Sequence, residues 1–431
     1  MFKKILSAIM ALVMIAAVAT MAVSCGPKAN DDPSNEPIGE KGMTADLIPV
    51  AAESKDFEIP SDFKIGVICL HDENSTYDLN FINAIKDIKT AFGLTDEQVL
   101  IKRNIPEAND CYEAAKDLVA SGCKVVFADS FGHESYLLKA AKEYPDVQFC
   151  HATGTSAHVE KLANFHNAFA SIYEGRYLAG IAAGLKLNEL KAANKLKSDV
   201  PTMGYVGAFT YAEVISGYTS FYLGAKSVCP DVVMKVQFTG SWYDESEEKS
   251  AAQALIAAGC DLISQHADSL GAPTACEDAG IPNVSYNGST FDAGENTFII
   301  SSAINWRPYF AYIIKSVSTN TAMDYDYTGT IATGSVVLSG LNTKVAAEGT
   351  KEAIETAIAG FAAGTLNVFA TDTFKVGGAK LDTFVPGAAT DGAFDPATVI
   401  ISDGVLHESE YRSAPYFDAT IDGITLLNSA F

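Results

Sequence analysis

Basic residues are scarce in this 431-residue chain: 30 Lys and Arg stand against 53 Asp and Glu, for a net charge of −23. That deficit argues against nucleic acid as a partner, because phosphate backbones require a basic surface. Acidity by itself names no partner, since it mainly serves solubility. Catalytic signatures are missing as well. There is no Gly-x-Ser-x-Gly elbow, and Ser156 and His158 in "ATGTSAHVE" lie too close in the chain to share a site readily. The strand-end pairs His71–Asp72, His133–Glu134 and His266–Asp268 lack the i, i+4 spacing of a helical zinc site, and no Cys-x-x-Cys occurs. No metal is expected. The glycines of "EGRYLAGIAAGLKL" (174–187) do not follow a strand as a dinucleotide fingerprint requires, so they suit close helix packing, and no cofactor is expected. Cys69, Cys111, Cys123, Cys150, Cys229, Cys260 and Cys276 are odd in number, irregularly spaced and set in apolar patterns. They read as small buried hydrophobes, not as a disulfide framework. Beyond the first 24 residues no run is long and apolar enough to span a bilayer.

What is present begins with an address. "MFKKILSAIMALVMIAAVATMAVSC" has Lys3 and Lys4, an apolar core, and small residues ending at Cys25, the layout of a secretory signal. Its "AVSC" resembles the lipobox of bacterial lipoproteins, in which the cysteine is lipidated and becomes the mature N-terminus. Loss of residues 1–24 would leave 407 of the 431 residues and carry the net charge from −23 to −25, because Lys3 and Lys4 depart. The polar, Pro/Gly-containing stretch that follows reads as a tether over 25–59. The expected location is the cell membrane, lipid-anchored, on the extracytoplasmic face.

From residue 60 onward, short apolar runs alternate with helical patterns. "KIGVICL" (64–70), "KVVFAD" (124–129), "VQFCHAT" (147–153), "TMGYVGAF" (202–209), "VMKVQFTGSW" (233–242), "DLISQHA" (261–267) and "NVSYNGS" (283–289) are strand-like. "NFINAIKDIKTAF", "CYEAAKDLVASG" and "EEKSAAQALIAAG" carry apolar residues at helical spacing. This alternation predicts an α/β protein with parallel sheets, in two similar blocks near 61–170 and 200–300. Ligands of such sheets bind at loops after the carboxyl ends of strands. Those loops are "HDENSTYD" (71–78), "ADSFGHES" (128–135), "FTYAEVISG" (209–217), "GSWYDESEE" (240–248), "QHADSLGAP" (265–273) and "YNGS" (286–289). Their Asp and Ser residues are suited to helix capping, with Ser75 or Thr76 for the first helix. Their aromatics, Tyr77, Phe131, Phe209, Tyr211, Trp242 and Tyr243, sit where a cleft between lobes would bury them, and aromatic walls with a few directional polar groups suit a flat ligand.

In order and spacing, "KIGVICLHDENSTYDLNFINAI", "VVFADSFGH", "NFHNAFASIYEGRYLAGIAAG", "GYVGAFTYAEVISGYTSFYLGA", "GSWYD" and "NVSYNGS...SSAINW" resemble the basic membrane protein family of bacterial lipoproteins. That family includes purine-nucleoside receptor components of ABC transporters, and the likeness covers about residues 60–325. It implies two Rossmann-like lobes in the type I periplasmic-binding arrangement, with three hinge crossings near Ala170, Ser302 and Thr333. On that reading residues 60–170 and 303–333 form the N-terminal lobe, and 171–302 and 334–431 the C-terminal lobe. It also implies ligand-binding residues: Asp72 and Asp129 for the polar edge of a purine, Tyr77 and Trp242 for its two faces, with Phe209, Asn287, Asn305 and Trp306 around them. The chain departs from the family where a ribose is held. "SYNGS" has Tyr286 in place of an acid, and "SAINW" has Asn305 where a lysine would fall, changes that favour a free base. The expectation is a non-enzymatic solute-binding lipoprotein that delivers a purine nucleoside or base to an ABC permease. The alternatives are a sensor or adhesin with no transport role, or a nucleoside-cleaving enzyme. "DENSTYD" has the acids for the last of these, but not a repeated Asp spacing.

Overall fold

A computed structural model describes residues 43–386 and 398–428; Cys25 and the signal segment lie outside the described residues. Strands alternate with helices along the chain. β1 (Met43–Ile48) precedes β2 (Ile65–Ile68), α1 (Thr76–Phe92), β3 (Val99–Lys102), α2 (Asn109–Ala120), β4 (Val125–Ala128), α3 (Glu134–Glu143), β5 (Gln148–Ala152), the single turn α4 (Ala157–Glu160) and β6 (Phe165–Ala170). The long α5 (Ile172–Ala192) then leads into β7 (Thr202–Gly207), α6 (Ala212–Val228), β8 (Val233–Phe238), α7 (Glu245–Ala257), β9 (Leu262–His266), α8 (Gly271–Ala279), β10 (Asn283–Tyr286) and β11 (Phe298–Ile304). α9 (Arg307–Ser318), β12 (Asp326–Gly329), β13 (Val336–Asn342), α10 (Thr350–Ala362), β14 (Ile401–Ser402), β15 (Val405–Leu406) and β16 (Ile424–Leu426) complete the described chain.

Two large sheets result. The first has the order β12-β6-β5-β4-β2-β3 and is parallel throughout. Its central strands β2 and β4 are buried along their whole length, as a parallel strand covered by helices on both faces must be. The second has the order β1-β13-β11-β10-β9-β7-β8-β16, parallel from β11 to β16 and antiparallel where β13 and β1 join. In each sheet the strand order reverses beside the first strand of its block: β2 lies between β3 and β4, and β7 between β8 and β9. Those switch points leave crevices at the carboxyl ends of the strands, where no helix crosses.

After a first passage over 49–64, from β1 to β2, the chain passes between the sheets three more times: at Ser171 between β6 and α5, at Asn305 and Trp306 between β11 and α9, and over 330–335 between β12 and β13. Hydrogen bonds tie these crossings together. Ser171 N–H donates to Gly329 O at 2.7 Å, Asn305 N–H to Ser335 O at 2.8 Å, and Ile331 N–H to Glu174 Oε2 at 2.8 Å. The Gly/Ala-rich α5 packs closely on α6. A Cβ on Gly224 would stand 2.0 Å from Tyr177 O, and one on Gly180 would stand 2.1 Å from Phe221 O, so these two positions set the approach of the helices.

Two boundaries differ from the sequence reading. The tether expected to run to residue 59 is interrupted by β1, which pairs antiparallel with β13 through Asp46↔Gly340 and Ile48↔Leu338. The polar composition around β1 conceals it, because an edge strand exposes one face to water. The carboxyl-terminal segment is also not confined to one lobe. β16 pairs with β8 in the second sheet, and Phe417 stacks on Phe369 at 4.9 Å, yet Ser413 N–H and Oγ–H both donate to Asp326 Oδ1 on β12 of the first sheet, at 2.8 and 2.7 Å.

Candidate functional site

The loops at the two switch points face each other across a cleft. The first lobe contributes Leu70, His71, Tyr77, Asp78, Ser130, Phe131 and Thr153, and the second contributes Glu213, Trp242, His266, Asp268 and Asn287. Each side chain comes from a strand end or from the first turn of the following helix. The cavity measures about 20 Å³, little more than one water molecule needs. A ligand larger than water therefore enters only with rotation of the lobes or of the walls.

α1 shows how the sequence builds its side of the cleft. Ser75 caps the helix: its Oγ accepts Asp78 N–H at 3.2 Å and donates to Asp78 Oδ2 at 2.6 Å. Asp78 Oδ1 also accepts His71 N–H at 2.7 Å. Burial pushes the Asp78 carboxyl up, but hydrogen bonds from His71, Ser75 and Asp129 outweigh it and hold the group below its ordinary range. Asp129 behaves in the opposite way. It is wholly buried, and desolvation plus the neighbouring Asp78 charge raise its carboxyl well above the usual range. Cys69, Asp78 and Asp129 offer ligand atoms within 4.8 Å of one another, a spacing a metal ion also uses. Burial raises the Cys69 thiol as well.

The second lobe adds carboxylates without adding cations. Asp268, wholly desolvated and near Glu248 and Asp78, is raised well above its ordinary range; its Oδ1 accepts Asn287 Nδ2–H at 3.0 Å. Burial lowers His266, which is therefore neutral, and its Nε2 lies 3.4 Å from Glu213 Oε1. No Lys or Arg lines the cleft among the described residues. The Arg176 guanidinium lies behind the wall, 4.7 Å from the Tyr286 ring and 5.3 Å from those of Tyr205 and Phe221.

Aromatic rings form a continuous band across the cleft. Phe131 stacks on Tyr211 at 4.9 Å, Tyr211 on Phe209 at 5.1 Å, and Phe209 meets Trp242 edge-on at 5.0 Å. Tyr77 is fixed by its hydroxyl, which donates to Asp129 O at 2.8 Å. The lobes also touch directly: Thr76 N–H donates to Asp268 O at 2.9 Å, and Asn80 Nδ2–H to Asn287 O at 2.6 Å. These contacts describe a closed cleft.

Of the residues singled out from sequence, Tyr77, Trp242 and Asn287 line the cleft, Asp129 lies beneath it, and Phe209 backs Trp242. Three are placed elsewhere. Asp72 is spent on its own loop and on the loop after β3: Oδ1 accepts Asn74 N–H at 3.0 Å and Asn74 Nδ2–H at 2.8 Å, and Oδ2 takes Asn104 Nδ2–H at 3.3 Å. Asn305 braces a crossing, donating from Nδ2 to Gly334 O at 2.8 Å. Trp306 is buried in the first lobe's core, stacked on Phe81 at 4.3 Å. Asp78, Glu213, His266 and Asp268 were not singled out as ligand contacts, although all four line the cleft. For Asp78 the signal was present: it falls with Phe81, Ile82 and Ile85 on the buried face of α1.

A family model described as ABC transporter substrate-binding protein, PnrA-like, matches residues 69–359. The chain belongs to that family. Among curated relatives of this PnrA-like protein, a purine-binding protein of Brucella abortus is 35% identical over 239 residues, covering 55% of this chain and 63% of the relative. A putative ABC-transporter glucose-binding protein of Haloferax volcanii is 34% identical over 193 residues, covering 45% of this chain and 46% of the relative. The matches thus span less than two thirds of either relative. Among solved structures, a solute-binding protein of Conexibacter woesei superposes with a TM-score of 0.55 at 19% identity, over 71% of this chain and 98% of that one. A transcriptional activator of the comK gene from Bacillus halodurans gives 0.56 at 19% identity, over 69% and 97%. At such identities they show the fold alone: two Rossmann-like lobes in the type I periplasmic-binding arrangement.

Proposed function

We propose that this PnrA-like protein captures a purine base or nucleoside outside the cytoplasm, held to the membrane through a lipid on Cys25, and presents it to an ABC permease. The observation that carries the reading is the composition of the cleft: aromatic rings from both lobes, Tyr77 and Trp242 among them, beside the carboxyl groups of Asp78, Glu213 and Asp268, with no lining Lys or Arg. Aromatic faces bind a planar heterocycle, and carboxylates accept from its ring or exocyclic N–H groups. The purine-binding Brucella relative supports the same class. Binding is completed by closure of the lobes, which removes the ligand from water and forms one surface for the permease to read. The site is built for capture, not for turnover.

The Haloferax relative gives a second reading, a sugar, since rings and carboxylates also hold pyranose hydroxyls. A thermal-shift panel on the full-length protein with adenine, adenosine, glucose and ribose separates the two. A ligand that binds only the folded state raises the melting temperature by mass action. Adenine or adenosine is expected to raise it and the sugars to leave it unchanged; a shift with glucose alone would overturn the purine reading.

A further inference from the structure

The purine reading leaves open which purines are accepted, and Glu213 bears on that choice. It sits in the first turn of α6, a helix buried on every side from Ala212 to Ala225, and its side chain is itself nearly buried while lining the cleft. One oxygen lies 3.4 Å from His266 Nε2. His266 is neutral, and its Nδ1 is buried without a hydrogen-bond partner against α6, where a Cβ on Gly217 would stand 2.8 Å from it. The ring proton therefore belongs on Nε2, and the imidazole donates to Glu213 and fixes the carboxylate's orientation. Among the described residues no donor reaches the second carboxylate oxygen. The cleft also offers Asp78 Oδ1 and Oδ2 as acceptors, and the donors beside them are already engaged: Ser75 Oγ–H and His71 N–H on Asp78, and Asn287 Nδ2–H on Asp268.

We infer that Glu213 selects 6-aminopurines over 6-oxopurines, an inference that rests on the purine reading. An amino group donates to the free carboxylate oxygen. A carbonyl at the same place would set two acceptors against each other in a desolvated cleft, where an unmatched polar group costs most. The same lack of cationic residues disfavours xanthine and uric acid, which lose a proton more readily than adenine.

The test is isothermal calorimetry of adenine and hypoxanthine, which differ at C6 and N1, on the full-length protein and on Glu213→Gln. Adenine is expected to bind at least about tenfold more tightly to the wild type, a discrimination of the size hydrogen-bond matching gives. In Glu213→Gln, whose amide can turn its N–H toward a carbonyl, the ratio is expected to shrink several-fold toward unity. The ratio is internal to each protein, so a general loss of stability does not mimic the effect, and Glu213→Asp, which keeps the acceptor, should retain the preference. Equal binding of the two purines by the wild type, or a ratio unchanged in Glu213→Gln, would overturn this inference and leave the purine reading standing. Binding of glucose with neither purine would overturn both.

Discussion

Buried carboxyl groups give individual residues a measurable signature. Glu174, Glu248 and Glu408 are raised from 4.5 to about 7, with burial as the leading cause. A carboxyl raised on folding stabilises fully below its unfolded value and loses that contribution as pH rises through the folded one. His133, His151, His166 and His266 are lowered by burial, so their contribution is complete above 6.5 and lost as pH falls. The two sets oppose each other between about 4.5 and 6.5; above that the raised carboxyls act without the histidines, the glutamates together with Asp129 and Asp268. The melting temperature is expected to fall between pH 6.5 and 8. Glu408→Gln should make that fall smaller, because an amide oxygen in the place of Oε1 still accepts from the Tyr416 and Phe417 N–H groups, 3.1 and 3.3 Å from it, but does not titrate. A pH profile unchanged by the substitution would remove Glu408 as a contributor. Single residues were also the least legible scale in the sequence. Asp72 and Asp78 lie in one polar run, and which of them reaches the cleft depends on helical phase: Asp78 shares the buried face of α1, whereas Asp72 closes a turn with Asn74 before the helix begins. Trp306 could not be told from a ligand aromatic until α9 was seen to pack on α1, and Glu213 was masked by the apolar helix around it.

Elements were far more legible, because hydrophobic period and strand burial are properties of many residues at once. "KIGVICL" and "KVVFAD" contain β2 and β4, and "EGRYLAGIAAGLKL" lies within α5, with its glycines at the helix contact. What the pattern cannot carry is pairing: the polar "MTADLI" becomes β1 only through hydrogen bonds to β13, nearly 300 residues away, such as Gly340 N–H to Asp46 Oδ1 at 2.8 Å. The α5–α6 contact supports a sharp expectation. Gly224→Ala places a methyl group against a backbone carbonyl that cannot turn aside, so it should destabilise the fold by about 1–3 kcal/mol or more in denaturant unfolding. Gly280, at the end of α8 with open space around its Cβ position but a φ of 65°, should cost less on the same change, through backbone strain alone. Equal stability of Gly224→Ala and the wild type would show that the helices do not meet this closely.

At the scale of the whole molecule, three crossings bonded to one another allow the lobes to move as bodies, and the cleft at the paired switch points is where that motion has its effect. The carboxyl-terminal segment, beyond the residues matched by the family model, adds a link of its own through Ser413 and Asp326. The central claim is that a purine lies in this cleft against Trp242. The chain has two tryptophans, and Trp306 is locked in the first lobe's core, so emission changes on ligand closure report mainly on Trp242. The most direct measurement is a fluorescence titration of the full-length protein with adenine, repeated on Trp242→Phe, which keeps an aromatic ring in place. The expected result is a saturable change at one equivalent in the wild type, absent from Trp242→Phe, with no response to glucose. Emission unmoved by adenine but altered by glucose would contradict the account.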